Sequence, residues 1–299
     1  MRTNFLKYSL LFASAIAIMF FSCKKDNEST TKPTADFSET SNGLSVTFTN
    51  TSLNTVTATT YLWNFGDSTT SVEASPTHVY SKYGTYNVML KVMNSATVAD
   101  STTQPITISK VSAIKLDDNS LSDWANVPDV YTNSDPANLI QEAKIDYDKD
   151  YIYFYIVSNT VNDSICSLSF NLDNDTTTGY ISWYIKGKHQ AADLYSEGVY
   201  FVPDDIFAVR TYINSADNTA WNWQDITGGN TGFTKVGYMS TSGNSRSYEF
   251  AVPKSKLSIT ASVAGTKTMS LGDKVGIIFM QYVAWNPSGG FVYTLDLTK

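Results

Sequence analysis

The stretch Tyr83–Val92, YGTYNVMLKV, alternates apolar and polar side chains over most of its length. In an extended chain, one face would carry four apolar side chains: Tyr86, Val88, Leu90 and Val92. A period of two predicts a β-strand with one buried face. A second stretch, Tyr151–Val157 (YIYFYIV), is rich in aromatic and β-branched residues and predicts another strand.

The amino-acid composition also predicts β-structure. Of the 299 residues, 42% are hydrophobic and 13% aromatic, while only 16% are charged. Disordered chains lack aromatic and β-branched residues, and helix bundles are rich in Ala, Leu, Glu, Lys and Arg, so both classes are excluded. The composition therefore predicts an all-β protein, and the length predicts two domains.

The charge and the cysteine count exclude several functions. The formal net charge of −7 repels a phosphate backbone, so the chain is not expected to bind nucleic acid. Two Cys and two His leave little for a zinc site or a disulfide framework. Cys166 falls on the apolar face of a predicted strand, where we expect a buried and unreactive thiol.

The N-terminus predicts secretion. Two basic residues precede an apolar stretch, Tyr8–Phe21, which is too short to span a bilayer and typical of a signal peptide. Phe20-Phe21-Ser22-Cys23 resembles the lipobox of bacterial lipoproteins. The resemblance implies a signal peptide over residues 1–22, cleavage before Cys23 and lipidation of that cysteine. The alternative is an ordinary signal peptide in which Cys23 occurs by chance.

A polar tether follows the lipidated cysteine. Residues 23–34 contain no apolar pattern that could pack, so a flexible linker is predicted. The acidic cluster within Lys24–Glu28 resembles the surface-export signal of lipoproteins from the Bacteroidetes group. It implies an outer-membrane lipoprotein exposed at the cell surface. The alternative is a lipoprotein that faces the periplasm on a plain solvated tether.

Residues 35–110 carry three short motifs in sequence order. They are Trp63–Asp67 (WNFGD), Pro76–Tyr80 (PTHVY) and Gly84–Val88 (GTYNV). Together they resemble the PKD domain, which implies an immunoglobulin-like sandwich that acts as a spacer. A single histidine, His78, has no second metal ligand nearby in sequence, so it is predicted to be a packing residue.

Residues 111–299 are long enough for one large sandwich. Besides Tyr151–Val157, the predicted strands are Cys166–Leu172, Gly198–Val202, Phe207–Ile213, Gly232–Met239, Tyr248–Val252, Val275–Val283 and Phe291–Leu295. A single helical turn is predicted over Pro253–Leu257.

Five patterns in this segment resemble the family 9 carbohydrate-binding module. They lie in Leu121–Trp124, Ala143–Phe154, Asn171–Tyr180, Ala192–Gly198 and Tyr248–Ser255. The resemblance implies a jelly-roll-like sandwich of two sheets with bound calcium. In some members of that family a sugar binds between two tryptophans.

The acidic loop after the Cys166–Leu172 strand offers hard oxygen ligands. Asp173 and Asp175 alternate along a tight loop that ends in Gly179. Calcium takes six to eight carboxylate, amide and carbonyl oxygens, so a structural calcium ion is the predicted cofactor. The alternative is a plain turn, since Asp and Asn cap turns without a metal.

Several tryptophans lie in polar stretches of the second segment. Four are candidate sugar-stacking residues: Trp183, Trp221, Trp223 and Trp285. Three polar residues complete the predicted ligand-binding set: Asp193, Arg210 and Asn286. For the tryptophans, the alternative is that they pack beneath their own loops. Arg210 is expected either to donate to a sugar hydroxyl or to form an ion pair with Asp or Glu.

No catalytic motif stands out. The chain has no H-E-x-x-H, G-x-S-x-G or phosphate-binding glycine loop, and neither His78 nor His189 lies in a catalytic motif. We therefore predict a surface lipoprotein that is not an enzyme. It would bind a polysaccharide or oligosaccharide and deliver it to a neighbouring transporter or glycoside hydrolase. The alternatives are an adhesion protein that binds a protein partner, and a weak enzyme or haem-binding domain on the same sandwich.

Overall fold

A computed structural model describes residues 31–159, 165–181, 191–213, 219–226, 228–262, 266–283 and 286–299. The predicted signal peptide, Cys23 and the tether up to residue 30 lie outside this part of the chain. Regular structure within it is almost entirely β-strand, so the all-β prediction is confirmed. None of its helices has the length and apolar composition needed to cross a membrane.

The first sandwich consists of a three-stranded and a four-stranded antiparallel sheet. The smaller sheet contains, in spatial order, β1 (Phe37–Asn42), β2 (Ser45–Asn50) and β5 (Thr77–Val79). The larger contains β4 (Thr70–Ser71), β3 (Thr60–Asn64), β6 (Gly84–Met93) and β7 (Ala99–Ile108). The stretch predicted as a strand from its alternation is β6, which pairs with both β3 and β7.

Trp63 is the centre of the first core. Its ring is fully buried, with its centroid 5.1 Å from that of Phe37 and 5.4 Å from that of Phe48. The indole Nε1 donates to the carbonyl oxygen of Glu73 at 2.9 Å. Because its one polar atom is satisfied, this large ring stabilises both sheets at no cost in lost hydrogen bonds.

His78 is the packing residue that the sequence predicts. Its ring stacks on Phe65 with centroids 4.1 Å apart, and its Nε2 lies 2.7 Å from Asp67 Oδ2. Burial alone would raise the pKa of Asp67, but hydrogen bonds from Thr69 and His78 outweigh it and hold that pKa below its ordinary value.

The second sandwich packs a five-stranded sheet on a six-stranded one. The five-stranded sheet contains, in spatial order, β15 (Lys235–Ser242), β16 (Ser245–Pro253), β10 (Tyr151–Ser158), β9 (Ile140–Tyr147) and β8 (Asp129–Thr132). The six-stranded sheet contains β14 (Trp223–Asp225), β13 (Ile206–Tyr212), β12 (Leu194–Gly198), β11 (Cys166–Asn171), β19 (Lys274–Val283) and β20 (Asn286–Asp296). A hairpin, β17 (Ile259–Ser262) and β18 (Thr266–Met269), and 3₁₀ helices at Ser122–Asn126 and Lys254–Leu257 complete it.

Aromatic rings fill the space between these two sheets. Phe250 stacks on Phe154 with centroids 4.8 Å apart and contacts Tyr200 at 5.0 Å. Cys166 is fully buried beside them, and burial raises the pKa of its thiol to about 12. The thiol is therefore protonated and unreactive at neutral pH, as the sequence predicts.

Two predictions for strands in this sandwich are wrong. The segment Gly198–Val202 was expected to be a strand, but β12 ends at Gly198 and residues 199–202 form a turn. The apolar run is buried as a turn because Tyr200 and Phe201 point into the core from it. The stretch around Trp223 was expected to be a long loop, yet Trp223–Asp225 pairs with β13 as a short edge strand.

The outer face of the five-stranded sheet is covered. Ile114, Leu116 and Trp124 pack against it in a small apolar cluster. The Trp124 Nε1 donates to Glu249 Oε2 at 2.7 Å, and both residues are buried. The outer face of the six-stranded sheet carries a second small apolar cluster of Ala192, Ile278 and Met280.

The two sandwiches touch directly. The Tyr83 amide donates to the Thr298 carbonyl oxygen at 3.1 Å, and Lys110 forms an ion pair with Asp146. The Lys110 ammonium also lies 4.6 Å from the centre of the Tyr147 ring. These contacts restrict the motion of the first sandwich relative to the second.

The Asp67–His78 contact predicts a pH-dependent stability. We expect Asp67→Asn to destabilise the protein at pH 7 by about 1 kcal/mol, since it removes a charged hydrogen-bond partner of His78. A carboxyl whose pKa is lowered on folding stabilises the protein above its unfolded pKa and loses that contribution as pH falls through its folded pKa. The difference between variant and wild type, measured by urea unfolding, should therefore decrease as the pH is lowered below the ordinary aspartate pKa of about 4. A difference that is the same at pH 7 and pH 3 would contradict the assignment.

Candidate ligand-binding site

The residues on the outer face of the six-stranded sheet follow from alternation along its strands. On β11, Cys166, Leu168 and Phe170 pack into the core, so Ser167 and Ser169 point to the opposite side. The same face therefore continues onto the neighbouring strands, and pairing register decides which of their residues join it.

The register aligns one row of side chains across five strands. Ser169 lies opposite Tyr195 on one side and opposite Ile278 on the other. Tyr195 lies opposite Arg210, which lies opposite Asp225 on the edge strand β14. This row places one charged pair, one aromatic ring and one aliphatic side chain next to each other on the outer face.

Five aromatic residues pack at the β14 edge of this face and are called the aromatic wall: Tyr180, Tyr195, Tyr212, Trp221 and Trp223. The Trp221 ring centroid lies 5.5 Å from that of Tyr180 and 5.6 Å from that of Tyr195, nearly perpendicular to both rings. Trp223 lies 5.4 Å from Tyr195 and 5.2 Å from Tyr212. Edge-to-face contacts of this kind fix the orientation of Trp221, although its side chain is 60% exposed.

A cavity opens beside the aromatic wall. Its volume is about 340 Å³ including the open mouth. Three residues of the wall line it: Tyr180, Tyr195 and Trp221. The other lining residues are Ser167, Ser169, Ala192, Ile278, Met280 and Tyr282. The cavity is thus mostly apolar and aromatic, with a few hydroxyl groups.

Charged groups lie next to Tyr195 on the sheet. The Arg210 Nε donates to Asp225 Oδ1 at 2.8 Å, and its Nη1 donates to Glu197 Oε2 at 3.3 Å. This is the ion pair that the sequence analysis gave as one of two expectations for Arg210. These bonds use the Nε and Nη1 groups of the guanidinium and hold it beside Tyr195 on the sheet.

The tyrosine hydroxyls of the cavity are uncharged donors. Burial raises the pKa of Tyr195, and the neighbouring Tyr282 and Glu197 raise it further. Burial also raises the pKa of Tyr282, whose hydroxyl lies 3.0 Å from Ser167 Oγ. Both phenols therefore keep their protons at neutral pH and can hydrogen-bond to a neutral ligand.

The structure brings together three of the predicted ligand-binding residues. Trp221 and Trp223 belong to the aromatic wall, and Arg210 lies one strand away from them. Asp193 is buried, and its Oδ2 accepts the Leu172 amide at 2.8 Å. It therefore supports the chain beneath the wall and does not line the cavity.

The other predicted ligand-binding residues lie elsewhere. Asn286 is exposed at the start of β20 and does not line the cavity. Trp183 and Trp285 lie outside the described residues, as does His189.

The acidic loop is built as a series of turns. Asp173 Oδ1 accepts the amide of Asp175, whose own Oδ1 accepts the amide and hydroxyl of Thr177. No group of three His, Cys, Asp or Glu side chains comes together among the described residues. Beneath the loop, the Asn171 Oδ1 is buried without a donor in the described part of the chain. Calcium binding by Asp173 and Asp175 stays a prediction.

Sequence reasoning missed several residues of the cavity. Tyr195 and Glu197 alternate with the core residue Leu194 along β12, and this pattern was available in the sequence. It was not used because the predicted strand began at Gly198. Tyr180 was read only as part of a family pattern. Tyr282 joins the face through the pairing of β19 with β11, which sequence alone does not reveal.

Residues 30–109 match the family model of the PKD domain. This segment is a PKD domain. The resemblance drawn from its three motifs is therefore confirmed. The PKD domain covers the first sandwich.

Curated relatives share short stretches with the chain. Over 35 residues it is 69% identical to the collagenase ColA of Bacillus cereus, which is 12% of this chain and 4% of that protein. Over 83 residues it is 39% identical to the pre-pro-metalloprotease PrtV of Vibrio cholerae, which is 27% of this chain and 9% of that protein. The chain thus spans less than a tenth of either relative.

Two solved structures are also similar. The PKD1 domain of the Vibrio cholerae metalloprotease PrtV is 40% identical, with 26% of this chain and 96% of that chain covered and a TM-score of 0.24. A carbohydrate-binding module of the β-sandwich superfamily is 13% identical, with coverages of 90% and 97% and a TM-score of 0.26. TM-scores of this size establish nothing about the second sandwich, whose two-sheet architecture follows from its own strand pairing.

Proposed function

We propose that the protein binds a glycan in the cavity beside the aromatic wall. The observation that carries this proposal is the position of Trp221, which is largely exposed yet held perpendicular to Tyr180 and Tyr195. A fixed, solvent-facing indole at the mouth of a cavity is suited to the C–H face of a sugar ring.

Polar groups around the cavity match the hydroxyls of a sugar. Arg210 offers N–H donors, and the Ser167–Tyr282 pair offers hydroxyls. Ligand pockets are commonly apolar with a few such groups. The enclosed part of this cavity has a volume of about 40 Å³, so it admits one substituent of a sugar while the ring lies at the mouth.

The rest of the chain would hold this site at a distance from the membrane. In our proposal Cys23 carries the lipid that holds the protein at the outer membrane, and the PKD domain spaces the binding sandwich away from it. The contacts between the two sandwiches favour a spacer that does not swing freely. The bound polysaccharide would pass to a neighbouring transporter or glycoside hydrolase.

We also propose that the acidic loop binds calcium for rigidity. The loop carries Asp173 and Asp175, and it lies above the buried Asn171 Oδ1, an amide oxygen of the kind that calcium uses. It precedes Tyr180 directly, so a rigid loop would help to fix that ring in the aromatic wall.

The glycan proposal predicts a selective loss of binding. A plant, algal or host polysaccharide found by affinity-gel electrophoresis should lose at least about tenfold in affinity with Trp221→Ala, because the stacking surface is removed. Phe207→Ala is the matched control, since Phe207 is an exposed aromatic residue of β13 that does not line the cavity. Failure of every glycan to retard the wild type, or full binding by Trp221→Ala, would contradict the proposal.

The proposed lipid anchor predicts that the protein carries acyl chains and partitions into detergent. In cells given labelled palmitate, the full-length protein should incorporate label and partition into detergent, because acyl chains add buried CH₂ groups. Cys23→Ala should lose both properties, whereas Cys166→Ala should keep them. An unlabelled wild type would show instead that Cys23 occurs by chance in an ordinary signal peptide.

The calcium proposal predicts stabilisation by a ligand. Calcium at 1,000 times its Kd adds about 4 kcal/mol to the free energy of unfolding. The thermal midpoint should therefore rise in calcium and fall with chelator. Asp173→Asn/Asp175→Asn should abolish that difference, and Asp204→Asn serves as an acidic-turn control. An equal thermal midpoint with and without calcium would contradict the proposal and show that the loop is a plain turn.

A further inference from the structure

The floor of the cavity is more apolar than a sugar needs. Ala192, Ile278 and Met280 are 2%, 3% and 5% exposed and form a cluster of their own, apart from the core between the sheets. The cluster lies on the outer side of the sheet, where antiparallel sheets usually carry polar side chains. Trp223 and Val292 pack around it.

A sugar that carries only hydroxyl groups does not match this floor. A hydroxyl pressed against three aliphatic side chains loses its hydrogen bonds to water without replacement, which costs free energy. A methyl group in the same place gains free energy, because apolar surface leaves water. The floor therefore selects a ligand with a small apolar substituent.

Hydroxyl groups lie directly beside the apolar floor. Ser167 is paired in register with Met280, and its Oγ lies 3.0 Å from the Tyr282 hydroxyl. Either hydroxyl can donate in that contact, so the pair can turn one O–H toward a carbonyl oxygen. The combination of a methyl-sized apolar floor and an adjacent donor matches an acetyl group.

We propose that the cavity recognises an acetylated sugar, whose acetyl methyl lies against Ala192, Ile278 and Met280 and whose carbonyl oxygen accepts from the Ser167–Tyr282 pair. The sugar ring then lies at the mouth of the cavity against Trp221. This inference rests on the proposed glycan binding and names the class of glycan. An O-acetyl ester and an N-acetyl amide present the same chemistry.

The experiment compares oligosaccharides that differ only in the acetyl group. Acetylated xylo-oligosaccharides, and the same sample after alkaline deacetylation, are titrated into the protein by calorimetry. Oligomers of N-acetylglucosamine and of glucose with equal length form the second arm. The acetylated member of at least one pair should bind about tenfold more tightly, from methyl burial plus one hydrogen bond. The arm that responds distinguishes ester from amide.

Two matched variants connect this preference to the floor. Ile278→Thr keeps a β-branched side chain in β19 and should reduce the preference below threefold, because the affinity for the acetylated member falls more than that for the unacetylated member. Val292→Thr makes a comparable change at the register partner of Ile278, which does not line the cavity, and should retain the full preference. If Ile278→Thr fails to fold by circular dichroism, Met280→Gln takes its place.

The outcomes separate this inference from the proposed function. Equal affinity for acetylated and unacetylated members, or a preference that Ile278→Thr leaves intact, overturns the acetyl assignment and keeps glycan binding. Absence of binding by any glycan in either arm overturns the proposed function and the assignment with it.

Discussion

Alternation along β11 is the constraint on which the second sandwich and its site depend. Leu168 and Phe170 must point between the two sheets to bury their surface, and this forces Ser167 and Ser169 to the other side. Register then carries the same division across the sheet, so Tyr195 and Ile278 join the outer face. A slip of one residue would exchange the two faces and remove both core and cavity.

The protein uses tryptophan in two physically different ways. Trp63 and Trp124 are buried, and each indole N–H has an acceptor, so these rings hold the structure together. Trp221 is held just as firmly by ring contacts, but its surface remains in water. The difference follows from the cover on each sheet, since Trp124 belongs to the segment that closes the five-stranded sheet.

Local patterns were enough to predict much of this structure. Period-two alternation predicted β6, aromatic and β-branched residues predicted β10, and three motifs predicted the PKD domain. Trp221 and Trp223 were found because two indoles in a polar stretch are costly without a partner. The other rings of the cavity depend on strand pairing, which local sequence does not encode. Asp193 was predicted to contact the ligand, but it is buried and accepts the Leu172 amide. Its burial depends on tertiary packing, which the local sequence does not reveal.

The central claim is that the aromatic wall touches the ligand. The most direct test follows the indole N–H signals of the protein by nuclear magnetic resonance during titration with an oligosaccharide. We predict shifts for Trp221 and Trp223, and unchanged signals for Trp63 and Trp124, whose N–H groups are hydrogen-bonded inside the cores. Saturating ligand that leaves the Trp221 and Trp223 signals in place while others move would contradict the account.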